Sequence, residues 1–387
     1  MVPVKYNLRS LRARWVASLL TVLGTGLVVW ASVLAFGLGA GLDHTLEVSS
    51  DPLDLIALRK GATSETSSGI EDERVRQIVT LPGIATDPQG RPFASPELVI
   101  VVNTVRRNEG GRTNLILRGV TPVARQLRPG FRLVEGRDFK PGLREAITSR
   151  SVAARFQNAG LGEEFKALGT TFRIVGLFEA GDSAIESEIW TDVKILGQAS
   201  KREGAVSSVQ IRSASADAMG KLKKRLADDE RFALKAVTEA EYYQDQAVAG
   251  AAIKIVGRII STFLTIGALF AVANTMFGAV AARSREIGTL RALGFGRLGI
   301  MGGFLLESLV LCLAGGALGS LATLPINGLS TGTANWVTFS ELTFAFRFGP
   351  DVLAYGVVLA VFMGLLGGLL PAIRATRMKI VDALREI

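Results

Sequence analysis

The sequence has 387 residues, more than one average domain holds, and its 48% hydrophobic against 20% charged residues excludes disordered and polar low-complexity chains. Its single cysteine, Cys312, excludes an internal disulfide or a cysteine metal cluster, and its single histidine, His44, leaves a histidine metal site or a catalytic triad without partners. A formal charge of +9 remains to be explained, and where that charge sits decides between a membrane protein and a sticky soluble one.

Residues 1–14 carry Lys5, Arg9, Arg12 and Arg14 and read as a basic cytoplasmic N-terminus. From Trp15 to Leu42 there is no charged side chain, which suffices to span a hydrocarbon core of ~30 Å at ~1.5 Å per residue. This is TM1, residues 15–42. It reads as an anchor rather than a cleaved leader, because it is much longer than a signal h-region of ~7 to 15 residues.

Residues 43–250 have ordinary soluble composition. Asp54 to Leu58, Glu97 to Val105, Asn114 to Val120, Glu145 to Thr148, Thr171 to Phe178 and Ser207 to Ile211 are short apolar runs bounded by turn residues, and predict strands. Ile70 to Thr80, Ser151 to Asn158 and Ala214 to Asp228 predict helices. The expectation is a large α+β extracytoplasmic domain of antiparallel character, inserted between TM1 and TM2. No catalytic group assembles in it, and the carboxylate pairs Asp228 with Asp229 and Glu186 with Glu188 read as solvated surface. Proline is absent from Thr238 to Ala282, so the helix of TM2 (251–282) is expected to start outside the membrane and, with the long TM1, to form stalk helices.

A short basic segment, 283–297, precedes TM3 (298–324); a loop, 325–351, then leads to TM4 (352–373) and a tail, 374–387. The fold class is therefore a membrane protein with four transmembrane α-helices. The N-terminus, segment 283–297 and the tail together hold the whole net charge, which places all three in the cytoplasm and explains the basic balance without a nucleic acid. Glu307 lies inside TM3, where a carboxylate must face the bundle, pair with a basic group or be protonated; Asn274 in TM2 falls under the same constraint. Gly315 with Gly319, and Gly364 with Gly368, have the small-xxx-small spacing that favours close helix packing. Cys312 reads as a small apolar filler.

Four stretches carry a family resemblance: Asn7 to Arg14 with Leu19 to Gly24; Asn274-Thr275-Met276 with Arg283 to Gly294; Phe304 to Ser308 with Gly315, Gly316 and Gly319; and Pro371 to Arg377 with Asp382 to Glu386. They resemble the MacB/FtsX family of ABC transporter permeases, the type VII or mechanotransmission class. Val134 to Phe139 and Phe172 to Gly176 are similar to landmarks of that family's periplasmic core domain. At Met378-Lys379-Ile380 the chain departs from the acidic residue and proline of many relatives.

The resemblance implies a homo- or heterodimer of permeases on two cytoplasmic ABC ATPase subunits in a bacterial inner membrane, in contact with lipid. ATP and Mg are then expected on the partner, since the chain has no G-x-x-x-x-G-K-[ST] and is not expected to be an enzyme or to bind a cofactor. Segment 283–297 would be the coupling helix. Arg283, Arg285 and Arg291 can pair with acidic residues, Glu286 can bridge, and Ile287, Leu290 and Leu293 form an apolar ridge at i, i+3 and i+6. The function implied is ATP-driven export or extraction of a lipid, lipoprotein, peptide or amphiphilic drug, with a periplasmic adaptor or outer-membrane channel as a further partner. The alternatives are FtsX-like control of a cell-wall hydrolase and, third, a membrane sensor without an ATPase.

Overall fold

The computed structural model describes residues 14–107, 110–128, 130–246, 248–334 and 340–378. The basic residues before Arg14 and the closing Asp382 to Glu386 stretch lie outside the described residues. In chain order the elements are α1 (Trp15–Val48), β1 (Asp54–Arg59), β2 (Ile70–Glu71), α2 (Asp72–Ile78), β3 (Ala94–Val105), β4 (Arg112–Val120), β5 (Arg132–Gly136) and β6 (Glu145–Ser149). Next come α3 (Arg150–Arg155), β7 (Glu164–Ala167), β8 (Thr170–Glu179), β9 (Glu188–Asp192), α4 (Val193–Ala199), β10 (Ala205–Val206), β11 (Ser208–Arg212), α5 (Ala216–Asp228) and β12 (Leu234–Thr238). The chain continues through α6 (Glu239–Gln246), α7 (Val248–Ala282), α8 (Ser284–Ala292), α9 (Arg297–Leu321), β13 (Ser330–Ala334), β14 (Glu341–Ala345) and α10 (Pro350–Arg377).

Two compact units result. One contains the described residues up to Ala40, Ala252–Leu329 and those from Phe346 onwards; the other contains Gly41–Ala251 and Ser330–Ala345. In the first, four helices among the described residues are long and apolar enough to cross a membrane. They lack the polar stripe of a soluble helix because both of their faces meet apolar matter. Leu20, Phe263 and Phe270 turn outwards and are 65%, 71% and 73% exposed, while Val29, Val33, Val272, Met276, Ala360 and Met363 fill the centre. Cys312 is fully buried among them. α1 runs for 34 residues, or ~51 Å, well beyond a ~30 Å hydrocarbon core.

The predicted glycines sit where these helices cross. A Cβ on Gly315 would come within 2.6 Å of the Val22 carbonyl oxygen of α1, and one on Gly319 within 2.9 Å of the Trp30 nitrogen. On α10, a Cβ at Gly364 would meet the Leu309 Cα at 2.8 Å, and one at Gly368 the Ser308 side chain. The Ser308 hydroxyl donates to the Gly364 carbonyl at 2.7 Å, so small residues and a hydroxyl together fasten α9 to α10. Asn274 departs from expectation: its side chain is exposed on the outside of this bundle instead of facing its interior.

The second unit is a ten-stranded sheet in the order β12-β1-β11-β3-β4-β9-β6-β8-β5, with β7 also pairing β8. It is not purely antiparallel, because β4 with β9 and β6 with β8 run parallel. α3 lies on the connection from β6 to β8 that this parallel pairing requires, and α4 follows β9. Asp192 caps α4 by accepting from the Lys194 N–H at 2.7 Å, and Ser149 caps α3 by accepting from Val152 at 2.9 Å. One core gathers Leu55, Ile78, Ile211, Leu222 and Phe232; another gathers Leu117, Phe156, Phe172 and Ile189. The stretch expected to be a plain loop between TM3 and TM4 contains the hairpin β13–β14, which belongs to this unit.

Candidate coupling segment and a buried charge network

α8 begins after Arg283 and ends in a left-handed turn. The Gly294 N–H donates to the Arg291 carbonyl at 3.1 Å, and the Phe295 N–H to the Leu290 carbonyl at 3.0 Å, which satisfies the last carbonyls of the helix. Gly294 has φ +88°, a conformation a side chain would strain, and this glycine lets the chain reverse into α9 within a few residues.

The seven residues expected to form the coupling surface separate into two sets. Arg283 is buried, with Nη1 3.0 Å from Glu307 Oε2 and its guanidinium 5.9 Å from the Phe304 ring centroid. The carboxylate inside TM3 thus has its basic partner in the first residue of the segment, and a buried pair of this kind holds both groups firmly in register. Ile287 is 2% exposed and packs in the bundle core. Arg291 donates from Nη1 to the carbonyls of Thr376 and Met378 at the end of α10. These three are anchors.

Arg285, Glu286 and Leu293 are exposed and Leu290 is half-buried. The expected ridge of Ile287, Leu290 and Leu293 is therefore corrected: its first member faces inward, since three residues advance a helix by only ~300° and six by ~600°, which cannot keep all three on one outer line. The exposed apolar knobs are instead Leu293, Phe295 and Leu298, at 72%, 36% and 77%, clustered around the glycine turn. The sequence signal for them is the Leu-x-Phe-x-x-Leu run interrupted by Gly294 and Gly296.

The inserted unit also contains a network of buried charge that no local sequence pattern marks. Arg118, 5% exposed at its side chain, lies between three carboxylates: Nη1 reaches Glu65 Oε1 and Glu97 Oε2 at 2.8 Å each, and Nε reaches Glu188 Oε2 at 2.7 Å. Arg128 Nη2 adds a second contact to Glu97 at 2.7 Å, and the Trp190 indole N–H donates to Glu188 at 2.8 Å. Glu188 is thus interior and paired, which corrects its reading as a solvated residue; Glu186 is half-buried. Burial opposes ionisation of Glu65, yet Arg118 and the Ser208 hydroxyl hold its carboxyl below the ordinary 4.5.

α6 is fastened to this network. The Tyr242 hydroxyl lies 3.4 Å from Glu65 Oε2, and Glu239, fully buried, accepts from the Gln210 amide at 2.8 Å and from the Asp51 N–H at 3.1 Å. Burial, aided by the nearby Asp54 and opposed by Arg128, pushes the Glu239 carboxyl up from 4.5 to about 8. A carboxyl whose folded pKa is raised keeps its proton in the folded form while the unfolded form ionises, so folding stability falls as pH climbs from about 4.5 to about 8. Thermal melts of the full chain in detergent are expected to show the inserted unit losing stability between pH 6 and pH 8, on the order of 1 kcal/mol or more per unit. Glu239→Gln, which keeps an acceptor and carries no charge, is expected to flatten that slope.

Among the described residues no group of His, Cys, Asp and Glu could hold a metal ion. Residues 18–229 match the family model of the MacB-like periplasmic core domain, and residues 258–380 that of the FtsX-like permease C-terminal region. The macrolide export ATP-binding/permease protein MacB of Rhodopirellula baltica is 25% identical over 97% of this chain, which spans 61% of that protein's length. The uncharacterized ABC transporter permease YknZ of Bacillus subtilis strain 168 is 24% identical over 99% of this chain and 98% of its own length. The solved extracellular domain of YknZ from Gram-positive bacteria aligns over 48% of this chain and 100% of its own, at 17% identity and a TM-score of 0.36.

Proposed function

Since the chain belongs to the MacB/FtsX family of ABC transporter permeases, a multi-pass class of the bacterial inner membrane, we propose that it carries motion from a separate cytoplasmic ATPase to its inserted domain. In this reading both termini and α8 face the cytoplasm, where their positive charge keeps them. The ATPase supplies ATP and Mg, and a second permease copy completes the assembly. Asn274, outside the bundle of a single chain, suits a contact with that second copy, because an amide exposed to lipid is costly unless another helix satisfies it. The cargo class is an amphiphile: a lipid, lipoprotein, peptide or amphiphilic drug, released through an adaptor or channel where one is present.

One observation carries the proposal. The segment at the bend between α7 and α9 is rigid on one side and adhesive on the other. Arg283, Ile287 and Arg291 fix it to the helices behind, while Leu293, Phe295 and Leu298 stand exposed beside Arg285 and Arg297. A groove-binding partner that pulls on such knobs moves the helices with them. Replacing Leu293 and Leu298 together by Asp is expected to lower recovery of the ATPase that copurifies with the unsubstituted chain from native membranes by ~30-fold or more, the loss of ~2 kcal/mol of hot-spot contact. Both side chains are exposed, so the chain itself is expected to stay monodisperse. Unchanged recovery, or no ATPase with the unsubstituted chain, would overturn the proposal.

A further inference from the structure

We infer that the β13–β14 hairpin is a second point at which motion is delivered to the inserted domain, clipped there by Glu341. This goes beyond the transmission reading above and rests on it. The chain passes between the two units at Ala40/Gly41, Ala251/Ala252, Leu329/Ser330 and Ala345/Phe346. The first two crossings lie within α1 and within the first turn of α7, and the nearby chain makes the Asp51–Glu239 and Tyr242–Glu65 contacts. The other two lead into the hairpin, which a mere connector would leave solvated on both faces.

The hairpin is instead pinned by a buried carboxylate. The Glu341 side chain is 2% exposed; its Oε2 accepts from Arg106 Nη2 at 2.7 Å and from the Thr113 hydroxyl at 2.9 Å, and its Oε1 pairs with Arg155. Arg155 also donates to the Thr343 hydroxyl at 2.5 Å, and the Thr343 N–H donates to the Ser187 hydroxyl at 2.7 Å. The partners come from the end of β3, from β4, from α3 and from the turn before β9, so one short hairpin holds four separate parts of the inserted domain. Two guanidiniums around one desolvated carboxylate fix position far better than an exposed pair. α9 starts at the coupling turn and its other end leads to β13. A displacement of that turn therefore has a direct covalent path to Glu341.

The test is hydrogen exchange on the full chain with its copurifying ATPase, in nanodiscs of phosphatidylethanolamine and phosphatidylglycerol, with and without a non-hydrolysable ATP analogue. In the unsubstituted complex the nucleotide is expected to change exchange both at residues 51–59, beside Glu239, and around Arg106, Thr113 and Arg155. With Glu341→Gln the Thr343 amide is expected to exchange about ten-fold faster, and the nucleotide effect around Arg106, Thr113 and Arg155 to fall by about half or more, while the effect at 51–59 persists. Unchanged nucleotide effects at both places would overturn the second delivery point and leave the transmission reading standing. No nucleotide effect anywhere in the unsubstituted complex would overturn both. Protection at Val99 and Leu117 reports that the sheet is folded; should Glu341→Gln lose it, Ser187→Ala, which removes only the acceptor of the Thr343 N–H, is read by the same criteria.

Discussion

Replacement of Arg118 by methionine is expected to destabilise the inserted domain by about 3–5 kcal/mol, the scale for removing one partner from a buried ion cluster. The guanidinium holds Glu65, Glu97 and Glu188 at 2.7–2.8 Å in a sealed interior. Without it, among the described residues those carboxylates keep Arg128, the Trp190 indole, the Ser208 hydroxyl and the distant Tyr242 hydroxyl. Methionine fills much of the same volume, so the loss reports charge and not a void. Thermal unfolding of the full chain, followed by tryptophan fluorescence, measures it. The control is Arg132→Met, which removes the 3.3 Å pair with Glu179 from a guanidinium that is 74% exposed and is expected to cost less than ~1 kcal/mol. Equal shifts for the two variants would show that the interior cluster is not sealed from water.

The second large effect is expected from Gly319→Val. The new side chain would be driven into the Gly26 carbonyl and to within 2.9 Å of the Trp30 nitrogen of α1, both backbone atoms with no rotamer to give. Overpacking of this kind costs ~1–3 kcal/mol where side chains can adjust, and more where only a helix axis can move. The expected outcome is a chain that inserts in the membrane yet fails to give a monodisperse peak in mild detergent. Gly302→Val in the same helix faces open space and is expected to behave as the unsubstituted chain. Identical elution profiles for the two variants would place the α1–α9 contact elsewhere.

What the sequence made legible follows from the range of the physics involved. Charge-free runs are local and long, so all four spanning helices could be read from composition, and Asp54, Glu145 and Thr171 mark strands whose hydrophobic runs are contiguous. The Arg118 network was not legible because its members lie at positions 65, 97, 118, 128 and 188, and only the sheet order brings them together. Glu188 reads as surface in the sequence because its local context cannot show that its strand, β9, is central. In the coupling segment the residue types were visible but their facing was not. A nine-residue helix turns each position through ~100°, and Arg283, Ile287 and Arg291 return to the same side at i, i+4 and i+8. β13 carries little strand signal because Ser, Thr and Gly dominate it, and nothing nearby announces that Glu341 pairs with arginines at 106 and 155.

The strand order also dictates how this polypeptide is made. β1, the first strand of this sheet in chain order, lies between β11 and β12, so its two neighbours are complete only once residues 212 and 238 have been synthesised. The sheet is thus an assembly of distant partners, slow to close and exposed at its rim while it waits. Glu341 arrives later still, after the third spanning helix, and then pairs with Arg106 and Arg155 of the earlier part of the domain. Biogenesis accordingly has a built-in last step, and a nascent chain arrested before that helix would carry a completed sheet with its final fastening undone.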